Sequence, residues 1–425
     1  MLSSDKLVKQ LKETHAPSLR AKNFLKYLGT GVLVTIGFID PGNWAANIAA
    51  GSTFGYSLLW VITISTVILI FLQHNAAQLG IVSGMCLSEA ATAYIKPSIS
   101  RPLLFSAIIA VIATAFAEII GSATALNMLF HLPIKLGAIL SAIFCFWLLS
   151  TNSYKKLENL IIGFVSLIGI SFLFELYLPH INWHEAILSS FIPSFPHGSL
   201  FLIMAMLGAV VMPHNLFLHS EIINNKEWNL EGEAKIKKHL KYSFFDTLFS
   251  MIIGWAINCA IIIVAAATFF NHHIVVTELQ QAVVLLKPIL GHFASIVFAI
   301  GLLFAGIAAT TTAGIAGGSI FAGLYKEIYD ISDIHSEMGA FITYFAAVVL
   351  IFFISDFYKA IILSQVVLSI QLPFTIFLQI YLTSSPKIMG KYVNNKFFNV
   401  SLWFIGFVVV VLNIWLVFLT FTQPL

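Results

Sequence analysis

Apolar residues run along this chain in blocks of about 20, separated by short polar connections. That is the length an α-helix needs to cross the hydrocarbon core of a bilayer. A membrane β-barrel would show segments of about 10 residues alternating apolar and polar, so helices are predicted and strands are not. Eleven spans are read, at roughly 29–52, 56–80, 103–130, 133–152, 157–178, 197–221, 242–270, 290–325, 336–354, 358–383 and 398–421. No connection is long enough for a soluble domain, so residues 1–425 are read as one transmembrane unit. The longest polar connection, about 222–241, carries Lys226, Lys235, Lys237, Lys238 and Lys241.

Composition agrees with lipid as the solvent. Hydrophobic residues make up 59% of the chain and charged residues 10%, where soluble domains carry about 25% charged residues. Of the 22 Lys and Arg residues, all but Lys135, Lys287 and Lys359 fall in the N-terminal segment or in alternate connections. The positive-inside rule assigns that side to the cytoplasm. The N-terminus is then cytoplasmic, and an odd number of spans puts the C-terminus outside. The first 22 residues are polar and basic, so no cleavable signal peptide is expected. Short loops of this kind fit a bacterial cytoplasmic (inner) membrane. The net charge of +3 gives no footing for a nucleic-acid partner. Cys86, Cys145 and Cys259 fall in or beside apolar runs without a CxxC pair, so neither a disulfide framework nor a Cys-ligated metal site is expected.

Two spans carry internal breaks. Span 1 contains Asp40-Pro41-Gly42-Asn43, and span 6 contains Met212-Pro213-His214-Asn215. Proline removes a backbone donor and clashes with the preceding turn. Irregular backbone at membrane depth is tolerated only where it lines a cavity. Spans 1 and 6 each begin a group of five, as an inverted repeat of five plus five helices would require. The repeats are about 29–178 and 197–383, with span 11, about 398–421, added outside them. A midplane substrate site is predicted between the halves.

Asp40 is the most informative residue. An unpaired carboxylate in the bilayer core costs a few kcal/mol or more, and no Lys or Arg lies deep inside a span to pair with it. Its partner is then a cation from solution, or a proton. Asn43 adds an amide oxygen, and carbonyls freed at the break, such as that of Gly37, add more. The alternative is a structural role for Asp40 as cap of the second half-helix, which is compatible with metal binding. Met212 narrows the cation. A thioether contributes little to Mg²⁺ or Ca²⁺ but tolerates Mn²⁺, Fe²⁺, Co²⁺ and Cd²⁺; the alternative is a packing methionine. Three roles are open to His214: proton acceptor, metal ligand, or hydrogen-bonding strut. Glu118, mid-span in helix 3, lacks a basic partner and is a candidate proton relay with Asp40 or His214. Glu175 and Asp246 lie near span ends and are read as solvated. Gln365 and Gln371 are either cavity amides or interhelical glue.

At these residues the sequence resembles the Nramp family (natural resistance-associated macrophage proteins), proton-coupled divalent metal transporters, in its bacterial form. Asp40-Pro41-Gly42-Asn43 resembles the family's helix 1 motif and Met212-Pro213-His214-Asn215 its helix 6 motif. The likeness extends to Leu79–Gly84 after span 2, Ala117–Gly121 in span 3, Lys156-Leu157-Glu158 opening span 5 and Ser364–Ser369 in span 10. The resemblance implies a LeuT-like fold working by alternating access. It also implies a metal held by Asp40, Asn43, Met212 and the Ala209 carbonyl, joined in other conformations by the Gly37 carbonyl or Gln365. The departures fall elsewhere. Ala115 stands where the family has an aspartate before Glu118, Gln78 stands in place of an arginine, and span 9 has no arginine. Span 8 is less polar than usual at Gly306-Ile307-Ala308-Ala309-Thr310. A proton route weakened, rerouted or absent is the expectation, with His214 and Glu118 as its remaining candidates.

The resulting expectation is a monomeric secondary transporter importing Mn²⁺ or Fe²⁺, with Co²⁺, Cd²⁺ and Zn²⁺ as further substrates. Protons are an open partner, and no cofactor is expected. A Mg²⁺-selective relative is disfavoured by Met212 and Asn43. A cation-coupled organic-solute symporter is disfavoured because Asp40 would repel a substrate carboxylate at the break. An intramembrane enzyme would need a nucleophile paired with a base or a HExxH site, and neither is present.

Overall fold

The structure, a computed structural model, describes residues 40–151, 163, 166, 167, 169–177, 181–224, 228–230 and 232–422. It begins with α1 (Pro41–Phe54), α2 (Leu59–Ser83), the short connecting helix α3 (Leu87–Tyr94), α4 (Pro97–Phe130) and α5 (Ile134–Ser150). Then come α6 (Trp183–Phe191), α7 (Leu200–Val210), α8 (Pro213–Asn224) and α9 (Glu233–Thr268). The chain closes with α10 (Ala294–Tyr325), α11 (Ile334–Phe352), α12 (Phe357–Thr383) and α13 (Lys396–Thr422).

Among the described residues, eight helical stretches are long and apolar enough to span a bilayer, and α5 is a shorter apolar helix. They coincide with predicted spans 2 to 4 and 6 to 11. The first half of span 1 and most of span 5 lie outside the described residues. One boundary differs clearly from expectation. Much of the 222–241 connection is helical, because α8 runs on to Asn224 and α9 starts at Glu233. The lysines from Lys235 onward therefore sit on the first turns of α9, where good helix formers extend the helix beyond the apolar block.

Burial is arranged for lipid. The broken pair α7–α8 is 94% buried over its apolar window, whereas α13 is 33% buried. The broken helix therefore lies at the centre and the added eleventh span on the rim. Large apolar side chains such as Phe404, Phe407 and Phe418 point outward, while Asp40, Asn47, Glu118 and Gln365 are inside. A water-soluble protein distributes these groups the other way. Glu175, read as solvated, is buried, and the neighbouring Phe172 packs edge-on to Trp44 of α1.

Helices approach closely where small residues meet, as expected where packing drives association in lipid. The contact of α10 with α4 turns on Gly306. A Cβ there would lie 2.3 Å from Ser122 Oγ and 2.9 Å from the Glu118 carbonyl. Gly306→Ala should therefore cost about 1–3 kcal/mol through overpacking, read as a lower melting temperature in detergent. Gly163→Ala, where an added Cβ would meet nothing within 4 Å among the described residues, should melt like the parent; equal melting of the two variants would refute this account of the contact.

Candidate functional site

The site begins with Pro41. A residue preceding proline is driven out of the helical region, and Asp40 is extended there, with φ −111° and ψ 162°. Its Oδ1 accepts from the Asn43 backbone N–H at 2.7 Å and its Oδ2 from Asn43 Nδ2 at 2.8 Å. The capping role weighed for Asp40 is therefore real. It does not use up the group, since a carboxylate offers about four lone-pair positions.

Asn43 Nδ2 also donates to the Ala209 carbonyl at 2.9 Å. One amide group is thus shared between a carboxylate oxygen and a carbonyl oxygen, two acceptors that a dication would bridge. The second break supplies that carbonyl. In an unbroken helix the Ala209 oxygen would accept from the residue four further on, and that residue is Pro213, which has no N–H. The helix stops at Val210, Val211 and Met212 are non-helical, and Pro213 opens α8. Rotating the Asn43 amide half a turn would present Oδ1 to the same spot, turning a donor into a further oxygen ligand.

Met212 is buried at this break, packed with Ala110 of α4 and Leu368 of α12. Its sulfur accepts from Asn215 Nδ2 at 3.4 Å. The two breaks share one plan. In each, the residue before the proline offers a ligand atom, and the asparagine three positions on donates its side-chain amide to that atom. Asn215 was not singled out from sequence, although its spacing from Met212 repeats that of Asn43 from Asp40.

The remaining candidates close the site from α4 and α12. Pro41 rests on Gly121 of α4. Glu118, one turn away and fully buried, faces the Gly42 amide and lies near enough to Asp40 to feel its charge. Neither Glu118 oxygen has a hydrogen-bond partner among the described residues. His214 Nδ1 lies 3.1 Å from Thr114 Oγ1, one turn before Glu118 on the same helix. His214 is held as a strut, on the line that leads to Glu118. Gln365 presses against Gly42, where a Cβ would stand 2.5 Å from its Nε2. Its Nε2 donates to Ser364 Oγ at 3.1 Å, and its buried Oε1 has no partner among the described residues. Of the two roles open to Gln365 this favours a cavity amide. Gln371 is interhelical glue, donating to Ser106 Oγ of α4 and accepting from Thr375 Oγ1. Gly37 lies outside the described residues. Asp40, Asn43, Ala209, Met212, Gln365, Glu118 and His214 are all exposed by 2% or less.

The family model described as "Natural resistance-associated macrophage protein-like" matches residues 31–419. The chain belongs to the Nramp family. Among its relatives, the divalent metal cation transporter MntH of Caldanaerobacter subterraneus subsp. tengcongensis is 34% identical over 95% of each chain. The protein of that name from Listeria monocytogenes is 36% identical over 95% of this chain and 92% of its own. The Eremococcus coleocola manganese transporter superposes with a TM-score of 0.78 at 29% identity, covering 94% of this chain and 87% of that one. A likeness in fold alone links the chain to Mhp1, a nucleobase-cation-symport-1 family transporter, with a TM-score of 0.59 at 15% identity. These similarities place the chain among multi-pass, all-helical Nramp proteins with the LeuT-like arrangement.

Within this Nramp chain the free oxygen of Gln365 is the feature most open to test. Gln365→Leu removes that oxygen with little change in shape. The expected result is a Mn²⁺ dissociation constant raised about threefold to tenfold by titration calorimetry, the size of one neutral ligand contact. An unchanged constant would remove Gln365 from the site.

Proposed function

We propose that this chain imports divalent transition-metal ions, Mn²⁺ or Fe²⁺ foremost, by alternating access across a bacterial inner membrane. It works as a monomer, with its N-terminus in the cytoplasm and its C-terminus outside. One observation carries the reading. The buried Asp40 carboxylate and Ala209 carbonyl, from two broken helices, converge on a single amide of Asn43, and a thioether sits at the facing break. A dication replaces the shared hydrogens of that amide with stronger charge-assisted contacts. Relatives named for divalent metal cation and manganese transport support the assignment. Co²⁺, Cd²⁺ and Zn²⁺ are further substrates of the same chemistry. This is carriage, not catalysis.

Met212 decides between transition metals and Mg²⁺. The hard Mg²⁺ ion keeps several waters and needs an all-oxygen cage near 2.1 Å, which a buried thioether interrupts. In calorimetry with Mn²⁺ and Mg²⁺, Met212→Ala should lose preference against Mg²⁺ or Ca²⁺ more than it loses Mn²⁺ affinity. A variant that keeps the parent's preference would make Met212 a packing residue and return Mg²⁺ to contention.

Proton coupling is weak, rerouted or absent on this reading. Ala115, apolar and fully buried, stands on α4 one helical turn from Ile119 and leaves Glu118 as the carboxyl facing the break. The helix α11, from Ile334 to Phe352, contains no arginine. What remains is the line His214–Thr114–Glu118. Proteoliposomes loaded with a pH dye should take up Mn²⁺ driven by its own gradient, with little internal acidification. Acidification in one-to-one step with Mn²⁺ entry would show an intact proton route.

A further inference from the structure

Beneath the site just described, toward the side rich in lysine, lies a second buried cluster with the chemistry of a cation site. Cys86 forms the cap of α3, Glu89 lies on its first turn, and Glu221 projects from α8. The Cys86 sulfur and one oxygen from each carboxylate all lie within 4.8 Å of one another. All three residues are buried, none exposed by more than 2%.

Ordinary structural roles explain part of this cluster and leave a remainder. Glu89 Oε2 accepts from the Cys86 backbone N–H at 2.9 Å and from Asn224 Nδ2 at 3.3 Å. That is the third-residue glutamate of a capping box. Glu89 Oε1, on the same buried carboxylate, has no hydrogen-bond partner among the described residues. Glu221 Oε2 accepts from Ser319 Oγ of α10 at 2.7 Å. The Cys86 sulfur lies 3.0 Å from Ser88 Oγ. A cap needs one carboxylate oxygen; it needs neither a second carboxylate nor a sulfur beside it. Two buried carboxylates and a sulfur packed this closely, with one Glu89 oxygen left over from the cap, make a pocket whose groups a cation would draw together.

We infer that Cys86, Glu89 and Glu221 form a second site for a divalent transition-metal ion, a waystation between the broken helices and the cytoplasm. This rests on the transport reading above for its cargo and its direction. The same half-helix α8 links the two sites. Glu221 lies nine residues after Met212, which at 1.5 Å per residue is about 13 Å along the axis. The two carboxylates and the Cys86 sulfur offer a dication both hard and soft ligands, the thiol proton passing to bulk water as the metal binds. Mg²⁺ is excluded by the same argument as at the first site. This proposal departs from the expectation, drawn from spacing, that no cysteine serves a metal; ligands from two segments more than a hundred residues apart leave no spacing motif to read.

The experiment is a Co²⁺ titration of the purified full-length protein in detergent, reading stoichiometry and near-ultraviolet absorption. The first site has a thioether and no thiolate, so a thiolate-to-cobalt charge-transfer band reports the second site alone. The parent should bind two equivalents and show the band. Asp40→Asn should bind one and keep the band. Cys86→Ser should lose the band, and Glu221→Gln should fall to one equivalent without it. Glu89→Gln, which can still cap α3, repeats the Glu221→Gln test should that variant melt early. A parent with no band, or a band that survives Cys86→Ser, overturns the second site. An Asp40→Asn protein that still binds two equivalents with the band upholds it and counts against the first site instead.

Discussion

A peptide group inside a bilayer must find its hydrogen bond within the protein; Pro213 withdraws one donor at the break between α7 and α8, and Pro41 opens α1 without one. Everything distinctive about the site follows from this. The Ala209 carbonyl is left without its helical partner, and the same four-residue spacing separates Gly37 from Pro41. Asp40 must leave the helical region because a proline follows it, so its carboxylate turns back to cap α1. The freed groups are tolerable only if something polar meets them away from lipid. That places the broken elements at the centre of the bundle and the unbroken α13 at its edge.

Close approach of backbones then holds these groups in register. A Cβ on Gly208 would stand 1.9 Å from the Gln365 carbonyl, so α7 can lie against α12 only with glycine at that position. Gly42 leaves room for the Gln365 side chain in the same way. Both contacts bring α12 to the two breaks at once. Any shift of α12 must move Gln365 relative to Asp40 and Ala209 together. That is the geometry a moving helix needs to open or close a site between two halves.

Patterns along the chain and chemistry at single residues were readable from sequence. Span lengths, the two proline breaks and the unpaired Asp40 follow from local composition and the energetics of charge in hydrocarbon. Features that depend on which distant segments meet were not. Glu175 sits near the end of its apolar run and reads as solvated, yet the bundle packs over it. Gln365 and Gln371 are alike in sequence; only their neighbours, Gly42 for one and Ser106 for the other, separate a cavity amide from interhelical glue. Asn215 was within reach, because its spacing from Met212 copies that of Asn43 from Asp40. Cys86, Glu89 and Glu221 carry no shared motif, and only folding brings them within reach of one another.

The hydrogen bonds of Asp40 bear on how an unloaded carrier returns. A bare carboxylate at this depth would be costly to carry through the conformational cycle. The usual remedy is to neutralise it with a proton, which couples transport to pH. Here the Asn43 backbone N–H and side-chain amide both donate to Asp40, and the amide also satisfies Ala209. The Asp40 carboxylate is therefore held by internal hydrogen bonds. In the proposed function, a metal displaces one amide to enter, and a site with internal donors depends less on a proton for its return. On the proposed reading, that gives a physical reason why the chain can replace the family's aspartate with Ala115 and omit arginine from α11 while keeping both broken helices intact.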